Sequence, residues 1–171
     1  MRQSDKKLKE LAAILKKNNK TAIIQSVKSL RSEESFEGAI ALLASFYDSS
    51  SDRELQKTIA EFFNDLKDQS VRPEVITEIR KPLKQSTIGM LVASCWQSGL
   101  DYSDYLGDMA RTFLKGDYAT SIECMTVIEE SIHNSTRARK DEIINLLMES
   151  PLAFLNEKNA LLHELIGILQ R

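Results

Sequence analysis

The chain has 171 residues and a formal net charge of −2, with 42% apolar and 28% charged side chains. A domain of that length hides roughly 70% of the surface its unfolded chain exposes, so it needs neither a disulfide nor a metal to fold. Six glycines and three prolines are too few for a turn-rich β protein, and the longest apolar run, Ala39 to Ala44, falls far short of the ~20 residues of a membrane span. Met1 leads into Arg2-Gln3-Ser4-Asp5-Lys6-Lys7 without the apolar run of a secretory signal. The expectation is a single all-α domain over residues 1–171, cytoplasmic and without a membrane segment.

The first hairpin is predicted from about Ser4 to Leu30. Leu8, Leu11, Ala12 and Leu15 form one apolar stripe, and Ile23, Val27 and Leu30 another, at the i, i+3/i+4, i+7 spacing of amphipathic helices. Asn18-Asn19-Lys20 is the turn, since Asn tolerates a left-handed backbone and also caps helix starts.

In the second hairpin Ser32 is the expected cap of a helix opening on Glu33 and Glu34 and carrying Phe36, Ala39, Ile40, Leu43 and Phe46. Ser51-Asp52-Arg53-Glu54 reads as a capping box with Ser51 as cap, ahead of the stripe Leu55, Ile59, Phe62, Phe63 and Leu66. The stretch IALLASFYDSSSDRELQKTIAEFFNDL, Ile40 to Leu66, has a leucine-rich helix, a short polar turn and a second helix with the small Ala60 mid-face. It resembles a HEAT or armadillo repeat unit. The later hairpins share the pattern without a fixed register, and the inter-helix Pro and Asp/Arg positions of such repeats are not consistently filled.

In the third pair Pro73 opens a short helix, where its missing N–H costs nothing, and Pro82 ends it. Ile88, Leu91, Val92, Cys95 and Trp96 make the next apolar face, closed by Gly99. The fourth pair starts near Ser103 and runs through Leu106, Met109, Ala110 and Phe113. Gly116-Asp117 then ends one helix and caps the next, whose returning stripe is Tyr118, Ile122, Met125, Ile128 and Ile132. The fifth pair uses Ile143, Ile144, Leu147 and Met148, then Leu161, Leu162, Leu165, Ile166 and Leu169 beyond Ser150-Pro151. So apolar a final stripe must fold back on the stack or meet another subunit.

Second helices beginning near Asn19, Asp52, Gln85, Asp117 and Asn156 give a repeat of roughly 32–39 residues. About ten short helices in five antiparallel hairpins predict a right-handed α-α superhelix, which the resemblance makes HEAT/armadillo-like. Such stacks mostly present surface to a partner.

Few residues point to chemistry. Glu130-Ser131-Ile132-His133 is one Glu-x-x-His, where a di-iron bundle needs two, and His163 has Ala160 three residues before it. Two cysteines and two histidines at unrelated spacings make no zinc set. Cys95 and Cys124 read as buried thiols, and no Gly-rich phosphate loop or serine elbow occurs. The expectation is a non-enzyme with no cofactor, no metal and no catalytic residue.

Charge is unevenly placed. Residues 1–31 hold nine Lys or Arg against Asp5 and Glu10, while the remainder is acidic. A basic first hairpin offers Lys6, Lys9, Lys16, Lys17 and Lys20 to phosphates, but the pI near 5.8 and the lack of aromatics there argue against nucleic acid. Trp96, Tyr102, Tyr105 and Tyr118, with Phe113, lie close in sequence to Asp101, Asp104 and Asp108. Tyr and Trp dominate binding hot spots, so Trp96, Asp101, Tyr102, Asp104, Tyr105, Asp108 and Tyr118 are the candidate partner-binding residues. The resulting expectation is a non-catalytic protein-interaction or scaffold module. The alternatives are a nucleic-acid-binding or DNA-processing HEAT-like domain using the first hairpin, and a helical bundle dimerising through Leu162, Leu165 and Leu169.

Overall fold

The computed structural model describes residues 2–153 and 156–171, with no side-chain description for Asn156. Met1, Phe154 and Leu155 lie outside the described residues. Ten α-helices and no strand occur among the described residues: α1 (Gln3–Lys17), α2 (Lys20–Leu30), α3 (Ala39–Ser49), α4 (Arg53–Asn64), α5 (Arg72–Ile79), α6 (Gln85–Gln97), α7 (Leu106–Lys115), α8 (Tyr118–Ser131), α9 (Arg137–Glu149) and α10 (Asn159–Gln170). Short 3-10 turns precede α5, α7 and α10. No helix among the described residues is long and apolar enough to cross a membrane.

Local chemistry sets the turns. Asn18 takes the left-handed conformation at φ +54°, and the next residue, Asn19, caps α2 by accepting from the Ala22 amide at 3.0 Å. Asp117 caps α8 through the Thr120 amide at 2.8 Å, one residue after α7 has ended at Gly116. A Cβ on Gly116 would lie 2.9 Å from both the Thr112 carbonyl oxygen and Thr120 Cγ2, so only glycine lets the two helices meet so directly.

Two expected caps are corrected. Asp52, not Ser51, caps α4, accepting from the amides of Glu54 and Leu55 at 2.9 and 3.1 Å. The Glu54 carboxylate, assigned by sequence to reach back over the cap, instead takes Lys20 at 2.7 Å. Ser32 caps no helix: its hydroxyl donates back to the Ser29 carbonyl, and Glu33 pairs with Lys7. The third helix begins only at Ala39, after Gly38 at φ +92°. Phe36 is nonetheless buried, fixed by the core from outside the helix.

Consecutive helices pair as hairpins, α1 with α2 through α9 with α10. Helices two apart also touch: α2 meets α4, α4 meets α6, α6 meets α8 and α8 meets α10, while α1 meets α3, α3 meets α5 and α7 meets α9. The helices therefore fall into an even row and an odd row, with a continuous core between them that includes Ile23, Leu43, Phe63, Ile76, Leu91, Met109, Ile128 and Leu165. Polar side chains near the end of α3 and the start of α6 tie successive units. Asp48 accepts from the Lys84 amide and the Thr87 hydroxyl at 2.9 and 2.7 Å, and Gln85 accepts from the Asp117 amide at 2.9 Å.

The final stripe folds back on its own chain. Leu162, Leu165 and Leu169 are 2%, 0% and 0% exposed, and α10 packs on α8 and α9. This corrects the dimerising alternative, because those leucines are already covered. Lys158, just ahead of α10, is buried too: its ammonium donates to the carbonyls of Phe113 and Leu114 at 2.9 Å each, satisfying the C-terminal end of α7.

Candidate functional site

The seven candidate residues do not form one surface. On the odd row, α5 is bridged to α7 and the turn before it by two arginines. Arg80 makes a two-pronged pair with Asp108, Nε to Oδ1 at 2.7 Å and Nη2 to Oδ2 at 3.0 Å. Arg72 Nη1 donates to the Asp101 carbonyl and lies 4.0 Å from the Asp104 carboxylate. The Asp101 carboxylate accepts from the Ser103 amide at 2.9 Å, and this bond holds its pKa below the usual range. Asp108 and Asp101 thus hold neighbouring helices together, while Asp104 remains the open carboxylate of the group, 79% exposed.

Tyr102 is corrected from partner-binding residue to core. Its ring is 1% exposed, and its hydroxyl lies beside the buried Cys95 thiol; desolvation and that neighbour push the phenol well above its ordinary pKa. Tyr105 packs against Tyr102 in a tilted pair with centroids 6.0 Å apart, and is half-buried. Cys95 and Cys124 are free and 1% and 0% exposed. Burial pushes the Cys95 thiol up to about 12 and the Cys124 thiol upward as well, so neither is a nucleophile in the folded chain.

The even row leaves a different surface. Trp96 is 40% exposed on α6 and Tyr118 is 52% exposed on α8. Sequence periodicity assigned Trp96 to the α6 core face and Tyr118 and Ile122 to the α8 core face. The departures are unequal: of the α6 face Ile88, Leu91, Val92 and Cys95 are buried as expected and Trp96 alone lies outside, whereas the α8 stripe keeps Ile128 and Ile132 inside and exposes Tyr118 and Ile122. The face α6 buries is Thr87, Ile88, Leu91, Val92, Ser94 and Cys95, and the face α8 buries includes Thr120, Ser121, Cys124, Val127 and Ile128.

Polar side chains can occupy these core positions because the backbone satisfies them. Ser121 Oγ donates to the Phe113 carbonyl at 2.8 Å, Thr120 Oγ1 to the Gln85 carbonyl at 3.4 Å, and Ser94 Oγ to the Leu91 carbonyl at 2.6 Å. With Thr120 and Ser121 inside, Tyr118 and the 37% exposed Ile122 turn to solvent.

Across the α6–α8 seam, Trp96 Nε1 donates to Glu123 at 2.7 Å. This bond fixes the indole at the surface, with Met90 and Ala93 half-exposed on the same stripe of α6. Met90, Ala93, Ile122 and Glu123 are members of this face that sequence reasoning missed. The available signal was charge: α6, QSTIGMLVASCWQ, contains no ionisable acid or base apart from its buried thiol.

His133 and Glu130 are both exposed at the end of α8, and His163 is exposed on α10. Among the described residues no group of three or more His, Cys, Asp or Glu is arranged to hold a metal. No family model, curated protein or solved structure matches the chain.

Proposed function

We propose that the chain is a short HEAT/armadillo-like α-α superhelix acting as a non-catalytic protein-interaction module. The reading rests on hairpins that contact along two rows, and its binding face is the even row at α6 and α8. One observation carries that placement. Of the five large apolar side chains that are exposed among the described residues, Trp96, Tyr118 and Ile122 stand on these two neighbouring helices. A half-exposed indole already held by Glu123 loses little freedom when a partner covers it, which is the physical basis of a hot spot.

The test is recovery of binding partners by the wild-type chain and by Trp96→Ala and Ile122→Ala variants, compared by quantitative affinity capture. A partner enriched by wild type and lost with either substitution supports the face. Full retention by both variants overturns it. The second reading, duplex binding through the basic first hairpin, is favoured by the exposure of Lys6, Lys9, Lys16 and Lys17. It predicts retardation of DNA at low salt that weakens steeply as salt is added, and no retardation at low salt removes it.

A further inference from the structure

In the second half of the chain, the cations are sorted by row. The three even helices α6, α8 and α10, of 13, 14 and 12 residues, contain no lysine and no arginine. Their ionised side chains are Glu123, Glu129 and Glu130 on α8 and Glu164 on α10, with His163 beside the last. The odd helices of the same half carry the cations, Arg111 and Lys115 on α7 and Arg137, Arg139 and Lys140 on α9, together with Asp108, Asp141, Glu142 and Glu149. An open cleft of about 550 Å³ on that side is lined by Arg80, Lys81, Arg111 and Lys115. At the other end of the even row the sign reverses, since α2 holds Lys20 and Lys28 without an acid, and α4 carries Arg53 and Lys57 alongside Glu54 and Glu61.

The acids stand where the apolar face is. Ile122, Thr126, Glu129 and Glu130 follow one another at i, i+4, i+7 and i+8, one stripe of α8, and Glu123 is bonded to Trp96 across the seam. Among the described residues none of Glu123, Glu129, Glu130 and Glu164 pairs with a lysine or arginine of the chain. An exposed indole beside a carboxylate that no lysine or arginine of the chain takes matches one kind of side chain best: a guanidinium or ammonium that lies on the ring face while its charge meets a carboxylate. The exposed stripe of α6 from Ser86 to Gln97 is roughly 17 Å long at 1.5 Å per residue, about three turns of a docked helix.

We infer that the α6–α8 face takes a basic amphipathic helix of a partner protein, its apolar side chains on Met90, Ala93, Trp96 and Ile122 and its arginines or lysines on Glu123, Glu129 and Glu130. This rests on the reading of the even row as an interaction face and adds the chemistry of what binds there. The same acids repel polyanions, so nucleic acid and anionic lipid surfaces do not fit this face.

Trp96 is the one tryptophan of the chain, so its fluorescence reports on the face directly. The experiment titrates the full chain with an 18-residue Leu/Arg amphipathic helix free of Trp and Tyr, and with the same peptide carrying Glu for every Arg. The expected result is a saturable blue shift with the Leu/Arg peptide only. Affinity should fall by about tenfold or more between 20 and 300 mM salt, and by a similar factor in the exposed-surface double variant Glu129→Lys/Glu130→Lys, with its circular dichroism unchanged. Equal binding of both peptides, or a double variant that keeps wild-type affinity, overturns the charge assignment while leaving the interaction face standing. An indole that responds to neither peptide overturns the inference, and the affinity capture with Trp96→Ala then decides separately whether the face itself survives.

Discussion

The α5–α7 seam and the α6–α8 seam lie in the same pair of hairpins and draw on the same stretch of aromatic and acidic sequence, yet they end up opposite in kind. At the first, carboxylates meet arginines of the chain itself: Asp108 takes Arg80, and the loop carrying Asp101 and Asp104 is held by Arg72. Tyr102, in the same loop, is buried beside Cys95 of α6. At the second, the acids find no cation of their own, and the aromatic rings of Trp96 and Tyr118 face solvent. A cluster of Tyr, Trp and Asp in sequence is therefore not one surface. Which residues are free depends on which helix row supplies the arginines.

The largest effect that sharpens this contrast is on stability. Tyr102→Ala removes a fully buried ring and should cost about 3–5 kcal/mol in a denaturant titration, in the range of large aromatic truncations. Trp96→Ala, at 40% exposure, should cost no more than about 1 kcal/mol while abolishing partner capture. A Trp96→Ala chain as unstable as Tyr102→Ala would make both residues core and erase the difference between the seams.

Next in size is the thiol response. Cys95 and Cys124 should be inert to a disulfide reagent at pH 8 in the folded chain and react on unfolding, and Tyr102→Ala should open Cys95 selectively. Burial raises the Cys95 pKa from 9.0 to about 12, so the folded chain keeps a proton that the unfolded chain releases. Its contribution to stability is complete below pH 9 and lost between pH 9 and 12. The Lys158 pKa, lowered by desolvation, acts in the opposite sense over the alkaline range, so the Cys95 contribution is read as a difference. Stability of Cys95→Ala should fall less steeply than wild type between pH 8 and 10.5.

The smallest expected effect is at Arg80→Ala. It removes the two-pronged partner of Asp108, a carboxylate only 15% exposed, from an arginine that is itself 61% exposed, and should cost no more stability than Trp96→Ala while leaving capture unchanged. A loss of capture there would move the binding face to the odd row.

Much of the fold was legible because its signals are local. The starts of α2, α4, α6 and α8 fall within one residue of Asn19, Asp52, Gln85 and Asp117, since Asn, Asp and Gly act on the turn they occupy. All five apolar residues assigned to the α4 stripe region, Leu55, Ile59, Phe62, Phe63 and Leu66, are buried, because α4 has a strongly one-sided pattern. The candidate site was legible only in part. Its neighbourhood was right, but Tyr102 and Ile122 exchanged roles. α8 has apolar residues on several sides, so periodicity alone does not say which side faces in.

The amino-acid sequence by itself determined an all-α chain, the starts of α2, α4, α6 and α8, its buried thiols, and a sorting of cations that is written into the later helices residue by residue. The tertiary structure alone decided that Tyr118 and Ile122 of α8, and Trp96 at the edge of the α6 face, lie outside. The carbonyls of Phe113, Gln85 and Leu91 stand ready to accept from Ser121, Thr120 and Ser94, so small polar side chains fill the core at no hydrogen-bonding loss. With Thr120 and Ser121 taken inside, α8 sends Tyr118 and Ile122 outward, and the buried face of α6 stops short of Trp96. The Phe113 and Gln85 carbonyls that take Ser121 and Thr120 belong to other helices, a property of packing that no spacing of residues announces.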